Sequence, residues 1–146
     1  MVVNPDFKEL LALLSKHEVR YLVVGGYAVA FHGHPRYTKD LDVWIETSRE
    51  NAENLLRALR DFGFGAVGLT TEDFLSPDYV IQLGYPPNRV DLLTSAGGVD
   101  FAACYAARVE VDVEGTTISF IDLESLKRNK RAAGRLQDLA DLENLT

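Results

Sequence analysis

In the stretch Asp40-Leu41-Asp42-Val43-Trp44-Ile45-Glu46 the odd-numbered residues are all aliphatic, and Asp40 and Asp42 alternate with them. Side chains two apart in a strand point the same way, so Leu41, Val43 and Ile45 share one face and Asp40 and Asp42 the other. The apolar run at residues 21–24 (Tyr-Leu-Val-Val) reads as a buried strand that stops at Gly25-Gly26. Two strands separated by a glycine pair and a short helical stretch imply an α/β layering.

The remaining chain fits that frame. Phe7, Leu10, Leu11 and Leu14 recur at helical spacing behind Asp6, which is placed to cap a first helix. Residues 27–31 read as a short helix stopping near Gly33 and Pro35. Thr47 and Glu50 have the spacing of a capping box for a helix that carries Ala52, Leu55, Leu56 and Leu59 and ends near Gly63. Residues 79–83 and 89–93 read as strands joined by a turn around Pro86-Pro87-Asn88, and residues 99–107 as a helix. Residues 108–113 and 116–121 form a hairpin across Glu114-Gly115. Asp122 or Ser125 starts a further helix, and residues 136–145 make a last amphipathic one. There is no repeat, linker or low-complexity tract, so the expectation is one α/β domain over residues 1–146, a mixed sheet flanked by helices.

Composition narrows the function classes. The chain has 146 residues, 47% of them hydrophobic, enough for a real core. It carries 22 acids against 15 Lys and Arg, a net charge of −7, so its overall field does not attract a polyanion. Nucleic acid is thereby disfavoured as a partner, with local basic patches left open. The single cysteine, Cys104, excludes an internal disulfide and a cysteine zinc cluster, and its apolar surroundings suit a buried structural role. No segment reaches the roughly 18–20 apolar residues of a membrane span, and the N-terminus lacks the pattern of a signal peptide. The expectation is a cytoplasmic protein with no membrane partner.

Three features carry chemistry. Gly25-Gly26 ends a strand and opens a helix; backbone N–H groups in such a place favour phosphate oxygens, although a glycine pair is also an ordinary tight turn. Asp40 and Asp42 repel each other unless a cation neutralises them, and a hard oxygen-ligated ion such as Mg²⁺ suits the pair. The alternative is a strand with one wet face. Asp91 is an acid inside the apolar run Val90-Asp91-Leu92-Leu93. Beside the Asp40–Asp42 strand it would bring three carboxylates together and permit two metal ions; otherwise it is an edge-strand surface acid.

Taken together, Gly-Gly, a gap, Asp-x-Asp and a later strand acid resemble the DNA polymerase β-like nucleotidyltransferase superfamily. Residues 20–145 look most like its small prokaryotic members, the antibiotic-adenylating enzymes and the nucleotidyltransferase proteins of toxin–antitoxin and abortive-infection systems. The resemblance implies a nucleotidyltransferase fold. It implies Gly25 and Gly26 at the phosphates of a nucleoside triphosphate (ATP by preference), two Mg²⁺ ions on Asp40, Asp42 and Asp91, and Asp91 helping to deprotonate an acceptor hydroxyl. The expected activity is transfer of a nucleoside monophosphate to an acceptor the sequence does not identify. Many active members carry Gly-Ser where this chain has Gly-Gly followed by Tyr27. The competing expectation is therefore a catalytically silent binding protein, an antitoxin-type partner or nucleotide sensor. In so short a chain, a second copy or a small helical partner would complete the cleft.

Several other residues are candidates for phosphate contact. Arg36 and Thr38 precede the acid pair, and Lys127 and Lys130 lie on one helix face. For Arg36 the alternative is a solvent-facing loop. For the two lysines it is pairing with Asp138 and Asp141, or complementing the dipole at the helix C-terminus. His17, His32 and His34 lack zinc spacing, and Trp44 is expected to pack under a helix.

Overall fold

A computed structural model of the chain describes residues 3–33, 38–65, 68–84 and 88–145. A six-stranded sheet carries six α-helices: α1 (Pro5–Lys16), β1 (Tyr21–Val24), α2 (Gly25–His32), β2 (Leu41–Ile45), α3 (Arg49–Leu59), β3 (Val80–Leu83), β4 (Val90–Leu93), α4 (Phe101–Ala106), β5 (Val109–Val113), β6 (Thr116–Phe120), α5 (Leu123–Ala133) and α6 (Leu136–Asn144). The strand order is β3-β4-β2-β1-β6-β5. β1 runs antiparallel to β2 and parallel to β6, and β2 runs parallel to β4, which makes the sheet mixed. This is the single α/β domain that the hydrophobic pattern implied.

The central strands are apolar because both their faces are covered. Tyr21, Leu22, Val23 and Val24 are all buried, as are Leu41, Val43 and Ile45. α1 packs on α3 and β6, and α2 covers β1 and β2. Phe31 of α2 stacks on Phe120 of β6, and Phe7 of α1 meets Tyr27 of α2 edge-on. Trp44 is buried edge-on against Phe101 of α4, the packing role expected for it. Cys104 is likewise buried. Among the described residues no helix is long and apolar enough to cross a membrane.

Two helix starts differ from the sequence reading. Asn4, not Asp6, caps α1: its side chain accepts the Asp6 N–H, and Pro5 occupies the first helical position, where a missing N–H costs nothing. Ser48, not Thr47, caps α3, accepting the Asn51 N–H while its own hydroxyl donates to Glu46. Adjacent polar residues compete for a cap, and the strand exit at Ile45 selects the later one. A 3₁₀ turn at Thr71–Phe74, closed by a Thr70–Asp73 capping box, buries Phe74 completely. Four residues are too few to leave a periodic signal. The hairpin turn forms at Glu114-Gly115 with both residues at positive φ, the backbone that a two-residue hairpin requires. The Pro86-Pro87 turn lies outside the described residues.

Candidate functional site

The acids meet at the end of the sheet where β1 finishes and where β2 and β4 begin. Asp42 lies directly beside Asp91 in the parallel β2–β4 ladder and directly beside Val24 in the antiparallel β1–β2 ladder. Asp40 precedes Asp42 by two residues and shares its face. The Asp42–Asp91 pairing follows from chain pattern: both strands bury alternate apolar residues, so the register that buries Leu41 beside Val90 and Val43 beside Leu92 also aligns the acids.

Gly25 follows Val24 immediately and opens α2 at φ +65°. A Cβ there would lie 2.1 Å from Asp42 Oδ2, so any other residue at this position must displace that carboxylate. The first turn of α2 has no side-chain cap and begins at the corner that holds Asp42. Gly25 and Gly26 thus put helix-terminal donors next to the acid cluster, the arrangement that receives phosphate oxygens elsewhere.

Electrostatics mark Asp42 as the strained member. Burial, with the neighbouring Asp91 and Asp40 charges adding to it, raises its pKa from 3.8 to about 7. The Lys130 and Arg89 charges pull the other way. Arg89, one residue before β4, was not singled out by its sequence context, yet it is central here. Its NH2 lies 2.9 Å from Asp40 Oδ2 and donates to Asp91 Oδ2 at 3.2 Å; its Nε lies 3.1 Å from Asp91 Oδ1. The Nε–Oδ1 approach is close but poorly angled, so both atoms are buried without a proper hydrogen bond. The only sequence signal for Arg89 is the i, i+2 spacing to Asp91, which puts both on one strand face.

The other expected phosphate contacts are placed unevenly. Lys130 is buried with its ammonium 3.1 Å from Asp138 Oδ1 and 3.2 Å from Asp141 Oδ2, the pairing that stood as its alternative. Arg135 adds a bond to Asp138, so the α5–α6 hairpin is clamped by two cations and two buried carboxylates. Lys127 is half-buried, 3.8 Å from Glu124. Thr38 lies two residues before Asp40 and is half-buried. Arg36 lies outside the described residues, as does His34. His32 is engaged with the Ile121 carbonyl at 2.6 Å and His17 with Asp61 at 2.7 Å. A pocket of about 430 Å³ near Arg20, Glu46 and Tyr105 lies at the opposite end of the sheet, where β1 begins and β2 ends, so it does not open on the acids.

Two features of this cluster are of the kind a divalent cation would relieve. Asp91 Oδ1 is a buried carboxylate oxygen without a well-formed hydrogen bond, and Asp42 is desolvated beside two further acids. The described residues nevertheless present no closed group of three acidic, histidine or cysteine ligands, and Arg89 stands between Asp40 and Asp91.

Comparison with known proteins agrees with the fold. The model of the aminoglycoside-2''-adenylyltransferase family matches residues 6–77, the portion that holds Gly25, Gly26, Asp40 and Asp42. No curated protein matches the sequence. Among solved structures, the chain is similar to TM1012 of Thermotoga maritima, classed with the nucleotidyltransferases, at 17% identity and a TM-score of 0.63 over 97% of this chain and 93% of that one. It is similar to the lincosamide antibiotic adenylyltransferase LnuA, lincomycin-bound, at 14% identity and a TM-score of 0.59, with 99% and 96% covered. It is also similar to ANT(2")-Ia in complex with adenylyl-2"-tobramycin, at 11% identity and a TM-score of 0.56, with 95% and 84% covered. At these identities the likeness is one of fold.

Proposed function

We propose, from the premise that this chain has a nucleotidyltransferase-type fold, that it transfers a nucleoside monophosphate from a nucleoside triphosphate, with ATP as donor, to the hydroxyl of an acceptor. The observation that carries this reading is the side-by-side pairing of Asp42 with Asp91, with the open N-terminus of α2 against Asp42. Gly25 and Gly26 would bind triphosphate oxygens through backbone N–H groups. Asp40, Asp42 and Asp91 would hold Mg²⁺, two ions in the full complex, which when bound screens the triphosphate and makes the acceptor hydroxyl more acidic. Asp91 takes the acceptor's proton as the hydroxyl oxygen bonds to the α-phosphorus and the bond to the bridging oxygen breaks, releasing pyrophosphate. Lys127, Thr38 and Arg36 are assigned to the phosphates. Lys130, held by Asp138 and Asp141, contributes as a fixed positive charge facing Asp42 rather than as a direct ligand.

A second reading, a nucleotide-binding protein without transferase activity, is favoured by Tyr27. It follows a Gly-Gly pair that stands where many active members carry Gly-Ser, so the serine hydroxyl is missing, and its own ring is buried against Phe7. A homodimer or small helical partner would complete the cleft under either reading.

Titration with ATP, CTP, GTP and UTP, with and without Mg²⁺, tests both. Mg²⁺-dependent binding that Asp40→Asn and Asp42→Asn abolish in folded protein supports the metal-bound site, and binding unchanged in those variants refutes it. A mass increase of one nucleoside monophosphate on aminoglycoside, lincosamide, nucleotide, tRNA or protein acceptors separates the transferase from the silent binder.

A further inference from the structure

Three carboxylates at the end of two adjacent strands carry a combined charge that the apolar sheet cannot tolerate unscreened. The chain supplies its own screen. Arg89 is the residue before β4, and its carbonyl accepts the Leu41 N–H at 3.1 Å, so it lies across the ladder from Asp40, two residues ahead of the Asp42–Asp91 pair. Its guanidinium uses two nitrogens on two acids: NH2 lies 2.9 Å from Asp40 and 3.2 Å from Asp91, and Nε lies 3.1 Å from Asp91 Oδ1. A planar fork reaches two carboxylates at once in a way an ammonium does not.

This contact engages Asp40 Oδ2 and Asp91 Oδ2, two of the oxygens a metal would draw on. Mg²⁺ takes oxygen ligands at roughly 2.0–2.1 Å in near-octahedral order. An oxygen that accepts a guanidinium N–H has that lone pair engaged, and a cation fixed between Asp40 and Asp91 repels a second cation placed there. The misaligned Nε–Oδ1 approach leaves part of the hydrogen-bonding capacity of Asp91 unspent, so this grip is one the side chain can release. At 31% exposed, the Arg89 side chain has solvent to move into, whereas the Asp91 side chain is 12% exposed.

We propose that Arg89 is the resident counter-cation of the acid cluster. It bridges Asp40 and Asp91 while the site is metal-free, and it must let go of at least one of them before a divalent ion is fully ligated. Arg89 is thus a positioning residue that sets the metal affinity of the site and couples metal entry to a side-chain swing. The inference rests on the metal-binding reading of the acid cluster.

Calorimetric titration with Mg²⁺, and with Mn²⁺ as a tighter probe, on the full chain and on Arg89→Gln tests it. The expected result is metal affinity about tenfold or more higher in the variant, together with a lower unfolding temperature in EDTA that saturating metal restores. Equal or weaker affinity in folded Arg89→Gln overturns the counter-cation role while leaving the metal site intact. No divalent binding to either protein defeats the metal reading itself, and this inference with it. Should the variant fail to fold, the native chain still answers. The Arg89 Nε–H resonance, assigned by its loss in Arg89→Lys, must shift on adding Mg²⁺, and a resonance unmoved at saturating metal overturns the proposal.

Discussion

Replacing Asp42 with asparagine should stabilise the metal-free protein at alkaline pH. The Asp42 carboxyl is raised from 3.8 to about 7, first by burial and then by Asp91 and Asp40. At about 1.4 kcal/mol per pKa unit, the difference is worth about 4 kcal/mol. Below about pH 4 the group is protonated in both the folded and the unfolded chain and contributes nothing. Between about pH 4 and 7 the unfolded chain has released its proton and the folded chain has not, so stability falls as the pH rises. Above about pH 7 both are ionised and the folded state carries the whole penalty. The asparagine of the variant never ionises, but its amide lacks some partners in the same place, which costs about 1–3 kcal/mol. The net gain at pH 8 is therefore about 2 kcal/mol, or about 4–8 °C in unfolding temperature for a chain of this size. Thermal and urea unfolding in EDTA from about pH 4.5 to about pH 8.5 provide the assay, with the slope of the native chain minus that of Asp42→Asn as the readout. Parallel slopes, or a native chain whose stability relative to the variant rises toward pH 8, would refute the argument. Saturating Mg²⁺ at pH 8 should shrink the gap, because a bound cation removes the repulsion that creates it.

Gly25→Ala places a Cβ 2.1 Å from Asp42 Oδ2 and a side chain at φ +65°, whereas Gly115→Ala, at φ +89°, meets nothing within 4 Å. Both should lose about 1–2 kcal/mol in denaturant unfolding from the left-handed backbone, but only Gly25→Ala should lose Mg²⁺-dependent nucleotide binding; equal binding in the two would remove Gly25 from the site. Lys130→Met leaves the buried Asp138 and Asp141 without one of their cations, and should cost about 3–5 kcal/mol in urea unfolding, with a cost under about 1 kcal/mol contradicting the clamp. Asn51 accepts the Arg20 N–H and donates to the Arg20 and Glu46 carbonyls, tying the start of β1 to the exit of β2. Asn51→Ala should therefore lose about 2 kcal/mol by the same measurement, without change in nucleotide affinity, because these bonds lie at the far end of the sheet from the acids.

The extent to which the site could be read in advance depends on how local each cause is. Residues 21–24 and 41–45 announce themselves as strands through continuous and alternating apolar residues, and Gly25-Gly26 marks the turn between strand and helix. Asp40 and Asp42 share a face by spacing alone. These are properties of a few consecutive residues, and elementary backbone geometry is enough to state them. Which polar residue caps a helix is nearly as local, yet Asn4 displaced Asp6 where Pro5 opens the helix, and Ser48 displaced Thr47 because it has the extended backbone a cap needs.

What tertiary structure alone decided is partnership across the chain. Asp91 reaches Asp42 because β4 pairs parallel to β2 in a register selected by the burial of Val90 and Leu92. Lys130 turned to Asp138 and Asp141 because α6 folds back on α5 and leaves the ammonium a pair of buried anions. Arg89 became the bridge between Asp40 and Asp91 for the same reason. Electrostatic energy depends on distance in space and on the water excluded from between the charges, and a linear order of residues encodes neither.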